Sequence, residues 1–264
     1  MFEFHHDRDR YFEIQWLNAR KYVIPFIERA HALRTGMRVL EIGCGEGGVL
    51  KAFLEKGCTG VGVELDATRV VDANRLLAAP IATGTIRIVS KDIYEVDLEH
   101  DLQGAFDIIL LKDVIEHIHD QPRLIGWMKK FLKPDGSIFF GFPPWQMPFG
   151  GHQQICRSRV SRLPYIHLLP RPIYRSILKW KQEPVNDLME IRDTGLSIEQ
   201  FEKICLSQGY QITMSEHYLL NPIYEWKFGW KPRLQFGWLR AIPYLRNYLT
   251  TCVYYLIKPN KELV

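Results

Sequence analysis

From residue 37 to residue 141, short apolar runs alternate with segments whose apolar positions recur at helical spacing. The runs are MRVLEIG (37–43), TGVGVELD (59–66), TIRIVSKDI (85–93), FDIILLKDV (106–114) and SIFFGF (137–142); GVLKAFLEKG, ATRVVDANRLLAAP and PRLIGWMKKFLKPDG are set among them. A strand that is apolar at consecutive positions is covered on both faces, which is the condition of a parallel sheet wrapped by crossover helices. The pattern therefore predicts an α/β fold, a doubly wound and mostly parallel sheet with helices on both faces. Further on, Ser197 followed three positions later by Gln200 has capping-box spacing; it starts a helix IEQFEKICLSQ that Gly209 ends. YQITMSEHYL (210–219) and YLTTCVYYLIK (248–258) read as two more strands and make the predicted sheet seven-stranded.

Two stretches break the alternation and read as insertions at the top or edge of the sheet: 142–195, rich in proline and arginine, and about 220–246, rich in tryptophan and tyrosine. Four prolines precede residue 141 and eleven follow it, so the second half should be the less regular. Charge divides the same way. Residues 1–140 carry 18 basic and 21 acidic side chains and residues 141–264 carry 16 and 9, so an anionic partner would meet the second half. Arg157 to Lys181 contains seven basic residues and no acidic one, which suits a solvated face or a surface for an anionic substrate or headgroup. The aromatic segment NPIYEWKFGWKPRLQFGWL (221–239) would pack a small annex core, line an apolar pocket, or make a peripheral membrane contact, where Trp and Tyr flanked by Lys and Arg are expected. Five widely spaced cysteines without a Cys-x-x-Cys pair indicate a reducing compartment. The charged N-terminus lacks a signal peptide's apolar run, and no stretch reaches the ~18 apolar residues of a spanning helix, so a cytoplasmic location is expected.

The strongest chemical signal is VLEIGCGEGG (39–48), a strand running into glycines that open a helix. Gly43, Gly45 and Gly47 permit a sharp turn and close approach of a nucleotide-type ligand to backbone N–H groups. Gly43, Gly45 and Gly48 also satisfy the G-x-G-x-x-G dinucleotide pattern, which leaves an NAD-dependent oxidoreductase open. Glu41 weighs against a pyrophosphate, which a carboxylate at the strand end repels, and for a cofactor carrying an ammonium and a sulfonium.

This segment resembles the first motif of the class I S-adenosylmethionine-dependent methyltransferases, and further matches follow in order to residue 141. The resemblance implies a Rossmann-like domain over 37–264 behind an N-terminal helical cap (1–36), with the two insertions as acceptor cover. It implies S-adenosyl-L-methionine as cofactor, with Glu41, Gly43, Cys44, Gly45, Gly47, Glu64, Leu65, Asp92, Ile93 and Lys112 around it. Glu64 closes the second strand where the family grips the ribose hydroxyls. Asp92 stands where similar enzymes accept from the adenine amino group, with Ile93 packing on the ring. Asp66 is placed to cap the next helix. FLKPDG (131–136) looks like the family's helix-ending turn, with Asp135 replacing a glycine.

Methyl transfer from a sulfonium needs alignment and exclusion of water more than a universal catalytic group. Asp113, His117 and His152 are the candidate catalytic residues, with a general base useful if the acceptor is a hydroxyl. If residues 113–117 are helical, Asp113, Glu116 and His117 share one side and resemble an acidic-x-x-Glu-His set that holds a divalent metal in some class I enzymes, with His152 a further ligand. A metal-free site, with His117 in a structural or basic role, is the favoured expectation. Gly150 and Gly151 would hinge a lid on which Trp145 shields the methyl group, and Tyr11 and Arg20 would fold over the cofactor, Arg20 meeting its carboxylate. His5 and His6 read as part of a solvated terminus. The expected activity is methyl transfer to a small-molecule or lipid-linked acceptor, at oxygen, with no nucleic-acid partner. A non-catalytic adaptor that binds the cofactor and works through its insertions is the other alternative.

Overall fold

The computed structural model describes residues 7–260, so His5 and His6 and the first residues of the 1–36 segment lie outside the described residues. The chain enters through α1 (Arg8–Asn18), which Asp7 caps by accepting from the Arg10 amide, and continues through a π-helical turn into α2 (Ile24–Glu28). The alternating region then forms β1 (Arg38–Ile42), α3 (Gly48–Leu54), β2 (Thr59–Glu64), α4 (Ala67–Leu76), α5 (Ala78–Ala82), β3 (Ile86–Ser90), β4 (Phe106–Lys112), α6 (Gln121–Trp127) and β5 (Leu132–Phe142). Asp66 caps α4 through the Thr68 amide.

The first insertion contains α7 (Arg171–Trp180) and α8 (Val185–Thr194), and α9 (Ile198–Ser207) follows with Ser197 accepting from the Gln200 amide at 3.1 Å. Then come β6 (Tyr210–Leu220), α10 (Tyr224–Phe228), β7 (Arg233–Leu234), α11 (Gly237–Arg240), α12 (Leu245–Tyr248) and β8 (Cys252–Pro259). The sheet order is β3-β2-β1-β4-β5-β8-β6-β7, with β1 to β5 parallel and the last three strands antiparallel. The seven expected strands are joined by an eighth, β7, a two-residue edge strand supplied by the second insertion. β8 begins four residues later than its apolar run suggests, because Leu245–Tyr248 closes into a helical turn first.

The continuous apolar runs are explained by a core on each side of the sheet. Alternate residues of β4 go to opposite faces, Ile109 and Leu111 packing with Leu124, Phe131 and Phe201, and Ile108 and Leu110 packing with Phe26, Leu50 and Phe53. β8 divides likewise, Val253, Tyr255 and Ile257 on the first side and Tyr254 and Leu256 on the second. The first insertion has its own small core of Cys156, Ile166, Tyr174, Leu178, Leu188 and Met189. The five cysteines are buried free thiols, and among the described residues no helix is long and apolar enough to cross a membrane.

Two buried imidazoles make the fold acid-sensitive. His167 bonds Gln153 and the Trp145 carbonyl, His217 bonds Tyr255, and burial pushes them down to about 4 and about 3. The unfolded chain therefore takes up these protons first, near the ordinary 6.5, so stability present above that pH is lost as pH falls toward the folded values. Melting temperature measured by differential scanning fluorimetry should fall from neutral pH to about pH 4, with a shallower dependence in His167→Gln and His217→Gln.

Candidate active site

The carboxyl ends of β1, β2 and β4 meet where the strand order reverses between β1 and β4, the crevice in which open α/β sheets bind ligands. A cavity of about 310 Å³ lies there, bounded by the glycine loop, β2, residues 91–94, β4 and α1. Gly43, Gly45 and Gly47 all have positive φ, at 69°, 53° and 84°, which L side chains rarely adopt. The loop is pinned from the neighbouring strand by Glu64, whose Oε2 accepts from the Gly45 amide at 2.8 Å while Oε1 accepts from the Asp66 amide at 2.9 Å. A carboxylate oxygen has two acceptor sites, so each Glu64 oxygen keeps one beyond these bonds. Asp92 accepts from the Tyr94 amide through Oδ1 alone, and Ile93 and Val114 supply apolar walls nearby. Glu41 is buried in the cavity floor; its Oε2 has no hydrogen-bond partner, and burial drives its carboxyl well up, against the opposing pull of Lys112. An orphaned buried acceptor of this kind suits a ligand that brings a cation or donor to it.

The residues the sequence singles out mostly converge here: Glu41, Gly43, Cys44, Gly45, Glu64, Leu65, Asp92, Ile93, Lys112, Asp113 and His117 line the cavity. Gly47 does not. Its place next to Leu77, whose Cδ1 would lie 2.4 Å from an added Cβ, gives it a packing reason instead. Tyr11 lines the cavity from α1, but Arg20 is exposed and lines neither cavity. Nine residues at about 100° each place Arg20 roughly half a turn out of phase with Tyr11. Trp145 likewise lines neither cavity; its ring meets His167 edge-on at 4.6 Å, and its amide bonds the Leu196 carbonyl. Gly150 and Gly151 are packed against the Trp145 carbonyl and His167, so the proposed hinge is a close-packed corner.

A second cavity, about 530 Å³, opens beyond the first and shares Tyr11, Arg69, Asp113 and His117 with it. Glu116, Met147, Phe149, His152, Ile223 and Lys227 are among its walls. Residues 113–117 are not an α-helix: Asp113 has φ 57°, Val114 φ −130°, and Ile115–His117 is a single 3-10 turn. Asp113 is consequently turned to Lys112 at 2.5 Å instead of joining Glu116 and His117. Burial lowers the Lys112 ammonium, but Asp113 outweighs it and holds the pair charged. His152, expected as a further ligand, does join Glu116 and His117. Its ring centroid is 5.1 Å from that of His117, and one ligand atom each from Glu116, His117 and His152 lie within 4.8 Å of one another. Burial pushes the His117 imidazole down, with Asp113 opposing, and raises the Glu116 carboxyl well up.

Several site residues carried no local signal. Glu46, buried in the glycine loop, pairs with Arg8 at 2.6 Å and Arg69 at 3.0 Å, fastening α1 and α4 to the loop. Lys227 reaches the second cavity from α10 and stands 5.5 Å from the Tyr11 ring; burial pulls its ammonium down to about 8, with Asp113 opposing. Lys21 and Tyr22 both bond Glu225, which holds α10 to the N-terminal helices above the cavities.

The family model of the methyltransferase domain matches residues 15–162, more than half of the chain. The chain belongs to this family. A ubiquinone biosynthesis O-methyltransferase of Paracidovorax citrulli is 30% identical over 105 residues, 40% of this chain and 43% of that protein. Phosphoethanolamine N-methyltransferase 1 of Arabidopsis thaliana is 32% identical over 114 residues, 43% of this chain and 22% of that one. The chain thus spans less than half the length of these curated relatives. An S-adenosylmethionine-dependent methyltransferase from Clostridium acetobutylicum superposes with TM-score 0.58 at 12% identity, over 98% of both chains. Haemonchus contortus phosphoethanolamine N-methyltransferase 2, solved with S-adenosyl-L-methionine, gives 0.55 at 16%, over 90% of this chain and 52% of that one. These structures share the methyltransferase domain's fold, and membership of the family decides the ambiguous glycines against an NAD-dependent oxidoreductase.

The methyltransferase domain's glycine loop is also held from outside. A Cβ on Gly48 would lie 2.3 Å from the Phe12 carbonyl oxygen, so α1 rests directly on the loop. Gly48→Ala should cost about 1–3 kcal/mol by overpacking, read as a lower urea midpoint with unchanged slope.

Proposed function

We propose that this methyltransferase domain moves a methyl group from S-adenosyl-L-methionine to a small or lipid-linked acceptor at oxygen. The observation that carries the reading is a pair of adjoining cavities with Tyr11, Asp113 and His117 in both walls, the first suited to a cofactor and the second to an acceptor. A second cavity against the first favours an enzyme over a cofactor-binding adaptor, and the O-methyltransferase names of several relatives support an oxygen acceptor. When bound, the cofactor supplies an electrophilic methyl on a sulfonium with a neutral thioether as leaving group.

Glu64 would hold the ribose hydroxyls with its remaining acceptor sites, Asp92 the adenine amino group, and Glu41 the cationic end. Phe12 and α1 cover the loop and limit water. His117, in the walls of both cavities and with its imidazole pushed down by burial, would take the proton of an acceptor hydroxyl during transfer. Lys227 gives the acceptor cavity a cation suited to an acidic or phosphorylated acceptor, while Met147, Phe149 and Ile223 suit an apolar portion. In the finer form of the proposal the acceptor is lipid-linked and is met at a membrane surface.

A second reading is favoured by the convergence of Glu116, His117 and His152. Two imidazoles and a carboxylate fit a borderline divalent cation, which would orient acceptor oxygens. Turnover lost on exhaustive chelation and restored by manganese or zinc would establish it; full turnover after chelation leaves His117 as the base.

Calorimetric titration should detect S-adenosyl-L-methionine and not NAD, and Glu64→Ala should weaken retention about tenfold to a hundredfold through lost charge-assisted hydrogen bonds. Retention untouched by Glu64→Ala would overturn the cofactor assignment. His117→Ala should lower kcat by about 10²-fold or more with cofactor affinity kept. In the native enzyme, kcat should rise with pH through a value below the ordinary histidine 6.5 and then level off.

A further inference from the structure

More than half of the large hydrophobic side chains exposed among the described residues lie between 228 and 249. Phe236, Ile242, Leu245 and Leu249 are exposed there, Trp238 to 66% and Tyr244 to 71%. They stand on short turns whose inward side chains are anchored. Leu239 is buried, the Gln235 side chain donates through Nε2 to the Leu249 carbonyl at 2.8 Å, and the Asn247 side chain accepts from the Ile198 amide at 2.8 Å. The outward display is therefore built into an ordered scaffold.

The charge that this segment itself carries has one sign. Residues 226–259 contain no aspartate or glutamate, and Lys231, Arg233 and Arg240 are exposed beside the aromatic side chains. Arg246 is taken up by two carboxylates, Glu199 and Glu202 from α9, and adds no positive charge to the face. A self-complementary contact between two copies would bring like charges together, whereas an anionic bilayer complements them. Trp and Tyr with flanking basic side chains are suited to the headgroup region, where an amphipathic ring has both an apolar and a wet neighbour.

The patch also adjoins the second cavity. Tyr165 donates its hydroxyl to the Tyr248 carbonyl at 3.0 Å and its amide to the Pro148 carbonyl at 2.8 Å. Next to Pro148 is Phe149, exposed and lining the cavity, and Thr251, two residues beyond Leu249, lines it as well.

We propose that this face docks on an anionic lipid bilayer, its aromatic and aliphatic side chains among the headgroups and Lys231, Arg233 and Arg240 on the phosphates, and that a lipid-linked acceptor reaches the second cavity from that surface. The route of the acceptor rests on the methyl-transfer reading; the docking does not.

Flotation with vesicles tests it. The full chain should float with phosphatidylcholine–phosphatidylglycerol vesicles and far less with phosphatidylcholine alone, and added salt should release it. The surface double variant Trp238→Ser/Tyr244→Ser should lose about tenfold or more of that binding, and Lys231→Glu/Arg233→Glu should lose the preference for the anionic vesicles. Both variants should retain S-adenosyl-L-methionine in calorimetry, which separates this proposal from the cofactor assignment. Absence of vesicle binding by the native chain, or binding indifferent to both variants, overturns the proposal. So does a dimer in sedimentation that Trp238→Ser/Tyr244→Ser dissolves, because the face would then belong to a second copy.

Discussion

The bond on which the site depends is that between the Glu64 carboxylate and the amides of Gly45 and Asp66. Hydrogen bonds to a charged acceptor contribute about 1.5–3 kcal/mol each, and the one to Gly45 is made where water is excluded. The two bonds join the end of β2 to the loop after β1 and to the cap of α4. A glycine-rich loop has the conformational freedom to take many shapes, and its positive-φ residues stay in one shape because a carboxylate from the next strand holds them. The cavity wall is a consequence of the same contact.

A second constraint is the number of ionisable groups buried together. Glu41, Glu46, Glu64, Lys112 and Glu116 are all buried at the carboxyl end of the sheet. Glu46 is compensated by Arg8 and Arg69, and Lys112 by Asp113. Glu41 and Glu116 keep an oxygen without a partner and respond by holding their protons more firmly. The uncompensated groups stand one in each cavity, where an arriving donor or cation would compensate them. The paired groups make the structural frame, and Glu46 recruits α1 and α4 as its cover.

Much of the fold was legible because its signals are local. Apolar runs at β1, β2, β4 and β5, caps at Asp66 and Ser197, and the glycines after β1 each depend on neighbours a few residues away. Errors arose where a role depended on direction in space. Trp145 sits in a proline- and glycine-rich loop, yet its ring is committed to His167 and Gly195. Arg20 belongs to the right helix and the wrong face. Asp113 has the right spacing for a helical trio, but the left-handed backbone at that residue turns it to Lys112 and leaves Glu116 and His117 with His152, from another loop.

The sequence by itself determined the layered sheet, the glycine loop and the acidic ends of the first strands, since propensity, capping and apolar period act over one or two turns of chain. Tertiary structure alone decided which charges meet. Glu46 and Arg69 are 23 residues apart, and Lys21 and Glu225 are 204. Electrostatic pairing depends on a few ångströms of separation in space, a distance that exists only after the cores on the two faces of the sheet have closed.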